Sequence, residues 1–258
     1  MKKIFGLLAL LTLVLAGCSS QKQPQDTKEQ TKLIQKNKKV WNNKLKKVQV
    51  IKFPGEKIIS VPSGYNDEDM SLARFKSGSQ LVVKARVINL EPEPTRVLTP
   101  ETKASIYIEK VIQGDKSLNN STIKTEFSGG LIRAQNYLVN VEGQYTGEQF
   151  GVKDPQTLVY GQTLTKPMPK IGQTVILGLN KFRAINEHQE KMYQKMGLTD
   201  NFYTINNPEV TFWIKKNGKY RLNNPAFYQA KNQAKYTNIF KITKYFNQNF
   251  RIKIFNKL

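Results

Sequence analysis

The sequence predicts a mainly β (α+β) protein: an antiparallel small barrel or sandwich with helical flanks at its N- and C-terminal ends. Three observations predict it. Runs of alternating apolar residues recur between positions 79 and 222, the period of half-buried strands. Asn217-Gly218 stands between two such runs, and Asn-Gly is the strongest short-range hairpin signal because both turn positions need positive φ. Helix-period segments lie at both ends, over 32–49 and 226–247.

Taken in order, residues 18–31 are rich in Gln, Lys and Ser with almost no apolar side chain, and read as a flexible tether. Over 32–49, Leu33, Ile34, Val40, Trp41, Leu45 and Val48 approximate one helical face while lysines fill much of the rest. Such a basic amphipathic segment suits an anionic membrane surface, and equally a helix packed on the domain with a solvated lysine face. The β-rich domain is expected over 50–222. It opens with short β-like pieces around Pro54-Gly55. Asn66-Asp67-Glu68-Asp69 follows, and acidic residues favour helix starts, which predicts a short capped helix over 68–76. Its spacing lacks the alternating ligands and central Gly of a calcium loop.

The strand signals come next: 79–90 (SQLVVKARVINL), 103–112 (KASIYIEKVI), 121–127 (STIKTEF) running into Gly129-Gly130, 173–179 (QTVILGL), and 210–215 with 219–222 around Asn217-Gly218. Residues 131–170 carry few order signals and are expected to be a long insertion or an extra hairpin, a natural place for a ligand site. Helices are expected over 187–196 and 226–247, and 250–255 alternates like a final strand.

The chain has 258 residues, with 41 Lys+Arg against 19 Asp+Glu, a formal net charge of +22. That charge predicts attraction to anionic polymers or membrane surfaces and says nothing of fold. Part of the excess matches the Lys, Asn and Ile richness expected of an AT-rich coding sequence.

The single cysteine closes a distinctive N-terminal stretch. Lys2 and Lys3 precede an apolar, uncharged run over 4–15, the length of a signal-peptide h-region and too short to span a bilayer. The run ends in Leu15-Ala16-Gly17-Cys18, which resembles the lipobox of bacterial lipoproteins. The resemblance implies a signal peptide over 1–17, cleavage between Gly17 and Cys18, lipid attachment at the Cys18 sulfur, and a membrane-anchored protein facing the extracytoplasmic side. The body, with its LVVKARV strand, VIQGD turn, Gly pair and IGQTVILGL strand, is similar to small exported barrels of OB-like character, many without assigned function.

No catalytic motif emerges, which predicts a non-enzyme with no cofactor and no metal. His188 is the only histidine, flanked by Glu187 and Glu190 on a helix expected to face water, and a zinc site usually needs several N or S ligands. Ser19/Lys22 and Ser121/Lys124 match Ser-x-x-Lys without the partner motifs of a penicillin-binding site. Glu91, Glu93, Glu109, Asp115 and Glu126 are scattered singly, and any two converging in space would supply the paired carboxyls a glycosidase needs.

The last 49 residues hold eleven Lys/Arg, no Asp or Glu, and eleven aromatics. Lys215, Lys216, Lys219, Tyr220, Arg221, Lys235, Tyr236, Lys241 and Lys244 are the candidate binding residues of this basic aromatic segment. Basic and aromatic side chains suit nucleic-acid strands, phosphate-bearing wall polymers or an anionic membrane. An exported location disfavours nucleic acid. The other reading places the aromatics in the core and the lysines outside. The expected function is a non-catalytic binding module for an anionic cell-wall polymer or an envelope protein. The alternatives are an immunity or exclusion lipoprotein acting against a bacteriocin or phage, and a solute-binding lipoprotein of a transporter, which would need two lobes of repeated βα units.

Overall fold

A computed structural model describes residues 24–51, 59–138 and 147–250. Cys18, the Pro54-Gly55 turn and most of the expected strand over 250–255 lie outside the described residues. The chain is mainly β, with helices at both ends. Its elements are α1 (Pro24–Leu45), β1 (Gln49–Ile51), α2 (Leu72–Ser77), β2 (Leu81–Pro92), β3 (Glu101–Gln113), β4 (Thr122–Ser128), β5 (Gly130–Arg133), α3 (Ala134–Tyr137), β6 (Leu158–Gly161), β7 (Thr174–Lys181), α4 (Glu187–Lys195), β8 (Tyr203–Ile205), β9 (Phe212–Lys216), β10 (Lys219–Leu222), α5 (Ala230–Gln233) and α6 (Thr237–Asn249).

Seven strands form one antiparallel sheet in the order β10-β9-β7-β2-β3-β4, with β8 paired to β7. β2 and β3 are its long central strands, and register shifts at Val82/Val83, Lys84/Ala85 and Val87/Asn89 mark irregular pairing between them. Such irregularities bend a sheet and increase its twist. The curled sheet does not close into a barrel: β4 meets the chain before β8 only at an isolated bridge between Lys124 and Phe202.

Both faces of the sheet are buried, which is why β2 reads as a nearly continuous apolar run. The first face, with Val83, Ala85, Val87, Ile106, Ile108, Val175, Leu177 and Phe212, packs with Trp41 of α1. The second, with Val82, Ile176, Trp213, Tyr220 and Leu222, packs against Phe75 of α2 and Ile239, Ile242 and Phe246 of α6. The Trp213 indole donates to the Thr243 hydroxyl at 2.9 Å, pinning α6 to β9. At the hairpin, Asn217 (φ 50°) and Gly218 (φ 76°) both take the positive φ that the dipeptide predicts.

The N-terminal helix settles one sequence ambiguity and corrects another. Trp41 is buried, with Ile34, Leu45 and Val48 packed on the same core, so this helix docks on the domain. Asn37, one turn along the same stripe, donates to the Ile88 carbonyl at 2.9 Å. Only Leu33 and Val40 of the expected apolar face stay exposed. The tether expected over 18–31 is helical from Pro24 onward, a proline position that suits a first helical turn.

Two further expectations are corrected. The helix expected over 68–76 begins at Leu72 and is capped by the Ser71 hydroxyl, which accepts from the Arg74 N–H. The C-terminal helix expected over 226–247 is broken into a 3-10 turn, Pro225–Tyr228, then α5 and α6. Asn224 caps that turn, and its side-chain bond to the Ala226 N–H competes with a continuous helix.

The expected insertion over 131–170 contributes a second small sheet, β1-β6-β5, in which β1 and β6 run parallel. Ile51, Ile132, Tyr137, Val152 and Val159 give it a core of its own. The Gly129-Gly130 pair joins the two sheets at positive φ.

Candidate functional site

The candidate cations divide according to the pleat of β9 and β10. Tyr220 and Lys215 are cross-strand partners. Ile214 pairs with Val175, so Lys215 sits beside Thr174, itself the partner of Arg86 on β2. Tyr220, Lys215, Thr174 and Arg86 therefore form one row across four strands, directed to the second face of the sheet. Lys84 joins them two residues before Arg86. Glu109 of β3 holds both: Lys84 Nζ lies 2.8 Å from one carboxylate oxygen, while Arg86 Nε and Nη2 lie 2.8 and 2.5 Å from the other.

One carboxylate thus serves two cations, and Lys215 is the third positive charge. Burial alone would raise the Glu109 carboxyl, but hydrogen bonds from Lys84 and Arg86 and their charges hold it below its ordinary range. The Lys215 ammonium is pushed down by burial and then by Lys84 and Arg86, with Glu109 opposing. Lys215 Nζ lies 5.5 Å from the centre of the Tyr220 ring. The Tyr220 hydroxyl, buried beneath it, has no hydrogen-bond partner among the described residues.

Lys216, Lys219, Arg221, Lys235, Lys241 and Lys244 are exposed. Lys219 and Arg221 lie on β10, the edge strand. Asn247 of α6 covers that edge, accepting from the Tyr220 N–H at 2.6 Å and donating to the Tyr220 carbonyl at 3.0 Å. α6 therefore runs beside β10, and Lys241 and Lys244 are exposed on it.

The aromatic members of the predicted site are corrected. Tyr220 is 2% and Tyr236 8% exposed, and neither offers a face to a ligand. The outward faces carry the chain's own cations: Lys235 lies 5.2 Å from the Tyr236 ring centre and Arg221 4.2 Å from that of Tyr228. Interleaving in sequence becomes layering in space, with rings inside and charges outside.

A second constellation joins two of the scattered carboxylates. Glu93 follows β2, and Glu126 lies on β4. Arg96 binds Glu93 at 2.8 Å through Nε and pairs with Glu126 through Nη2, and its guanidinium lies 5.1 Å from the Tyr193 ring centre of α4. Glu93 is 6% exposed, and its Oε1 finds no donor among the described heavy atoms. The Glu126 carboxyl is pushed up to about 8, first by burial and then by the Glu93 charge, with Arg96 opposing. Glu126 therefore keeps a proton near neutrality, and Glu93 is the acceptor for it. Glu93-Pro94-Thr95-Arg96 shows a local acid–base pair in the sequence. The contribution of Tyr193, 97 residues after Arg96, has no sequence signal.

His188 is exposed, and among the described residues no group of His, Cys, Asp and Glu is arranged to hold a metal ion. Lys124 of the Ser-x-x-Lys pair donates to the Gly197 carbonyl at 2.6 Å, and Ser121 to the Leu118 carbonyl at 2.8 Å, so the two side chains serve different loops. Among the described residues no helix is long and apolar enough to cross a membrane. No protein family, curated protein or solved structure matches this chain.

Proposed function

We propose that this protein is an extracytoplasmic lipoprotein, anchored through Cys18, that binds a phosphate-bearing anionic polymer of the cell envelope without catalysis. The observation that supports the polymer reading is the cluster of Lys84, Arg86 and Lys215 beside a single Glu109. Glu109 fixes two of the cations in place, and the third, Lys215, makes no ion pair among the described residues. A phosphodiester supplies both the charge and the acceptor oxygens that such a strip lacks. The buried aromatic layer beneath keeps the strip rigid, so little side-chain order is lost on binding.

The anchor rests on the lipobox. Only five residues separate Cys18 from Pro24, a reach of at most about 22 Å when extended, so α1 begins close to the bilayer. Two acyl chains suffice for stable anchoring at about 0.8 kcal/mol per buried CH₂.

The test uses the lipidated chain in neutral phosphatidylcholine vesicles, floated with poly(glycerol phosphate). The polymer should co-float at low salt and dissociate as salt rises, because the attraction is screened. Lys215→Ala should weaken capture several-fold. Capture that ignores both salt and this substitution would refute the polymer reading. Loss of fatty-acid labelling and membrane retention in Cys18→Ser tests the anchor separately.

A further inference from the structure

The unclosed seam of the sheet holds a second site. β4 pairs with β3 along one edge. Along the other, the Lys124 N–H donates to the Asn201 carbonyl at 2.8 Å, and the bridge to Phe202 follows. Beyond that point no ladder joins Glu126–Ser128 to β8 among the described residues. A cavity of about 250 Å³ occupies the gap.

Its walls are chemically mixed. Glu101 and Glu126 supply carboxyls, Lys166 and Arg96 supply cations, and Thr204 supplies a hydroxyl, all above Phe127 and Phe212. Those two rings stack with centres 5.3 Å apart. Among the described residues Glu101 accepts only a 3.2 Å hydrogen bond from the Ser128 hydroxyl, which leaves acceptor capacity at the cavity. Burial, partly offset by Ser128, raises the Glu101 carboxyl.

Charge decides the class of occupant. A cationic ligand would meet Lys166 and Arg96, and an anionic one would meet the Glu101 carboxylate. A neutral ligand whose hydroxyls both donate and accept satisfies both sets. The volume lies below the ~300–1,000 Å³ of sites for drug-sized ligands, which restricts the occupant to about one ring. We infer that the β4–β8 seam binds a single neutral saccharide unit, held through its hydroxyls by Glu101, Lys166 and Thr204. This site is separate from the basic strip on β9 and β10 and does not depend on polymer binding there.

The test is saturation-transfer NMR on N-acetylglucosamine, with the full lipidated chain in a detergent that carries no sugar. Ring protons should receive saturation, and Glu101→Ala and Thr204→Val should each weaken binding at least five-fold while leaving the thermal midpoint within a few degrees of wild type. Lys215→Ala and added salt should leave the transfer unchanged, which separates this site from the basic strip. Absence of transfer, or transfer undiminished in both seam variants, overturns the inference. So does stronger transfer to putrescine or to the dipeptide Ala-Ala than to the sugar. Should either seam variant unfold, Lys166→Met takes its place under the same criteria.

Discussion

Asp67 caps a helix that begins 170 residues later in the chain. Its carboxylate accepts the Asn238 N–H at 2.7 Å and the Ile239 N–H at 3.2 Å, while its own carbonyl accepts the Asn238 side chain at 2.8 Å. The Tyr65 hydroxyl donates to the same carboxylate at 2.8 Å. The first turn of α6 has free N–H groups and a partial positive charge, and a carboxylate satisfies both. The acidic cluster is thus a helix cap, as the sequence suggests, but for the last helix rather than the adjacent one.

Asp67→Ala should cost about 1–2 kcal/mol, the range for a lost cap, and Asp67→Asn about half as much because its side-chain oxygen still accepts. Urea unfolding followed by tryptophan fluorescence reads this directly, since Trp213 lies beneath α6. A loss of under 0.3 kcal/mol for the alanine variant would show that the cap contributes nothing to stability.

Thr243→Val keeps the shape of the side chain and removes the acceptor of the Trp213 indole. An orphaned buried donor costs about 1–3 kcal/mol. Thr243→Ser keeps the hydroxyl and should be milder. Equal losses in the two variants would assign the effect to packing.

Glu126 carries a pH dependence of stability. Unfolded, it ionises near its ordinary 4.5; folded, it holds its proton to about 8. The folded state binds the extra proton between these values. The stability contribution is therefore complete below pH 4.5, declines as pH rises, and is gone above 8. Glu126→Gln keeps a donor for Glu93 and cannot ionise. Its thermal midpoint should fall less steeply than wild type between pH 5 and 8, with the variant gaining several degrees in relative terms by pH 8.5. Parallel midpoint curves would sink this assignment. Glu93, Arg96 and Tyr193 face the same carboxyl and remain unchanged in the comparison.

Gly130 and Gly218 both have positive φ, yet they should respond differently to alanine. A Cβ at Gly130 would collide with the Thr102 hydroxyl, which donates to the Gly129 carbonyl at 2.7 Å; at Gly218 it would meet open space. Gly130→Ala should cost roughly 2–5 kcal/mol through strain and overpacking together, and Gly218→Ala about 1 kcal/mol through strain alone. Denaturation midpoints rank the pair, and the reverse order would contradict the junction geometry.

Much of the strand architecture was legible. The six strongest expected strands correspond to β2, β3, β4, β7, β9 and β10, because alternation and turn residues are local signals. The small sheet was not legible: β1 and β6 have three and four residues and pair in parallel across more than 100 positions, so no local pattern marks the partnership. The candidate site was legible in charge but not in arrangement. Lys215 stood out in a segment without acids and Glu109 only as one of several scattered carboxyls, whereas Lys84 and Arg86 read as ordinary polar positions on strands.

By itself the sequence determined the charge, the N-terminal stretch ending at Cys18, the period of the strands and the turn at Asn217-Gly218. These depend on composition and on neighbours within a few residues. Tertiary structure alone decided that Tyr220 and Tyr236 lie under their lysines, that Glu93 and Glu126 share Arg96, and that the sheet stops short of closure between β4 and β8. Each depends on which distant strands and helices meet. Packing an apolar face chooses its partner by shape and burial, and neither is written in local sequence.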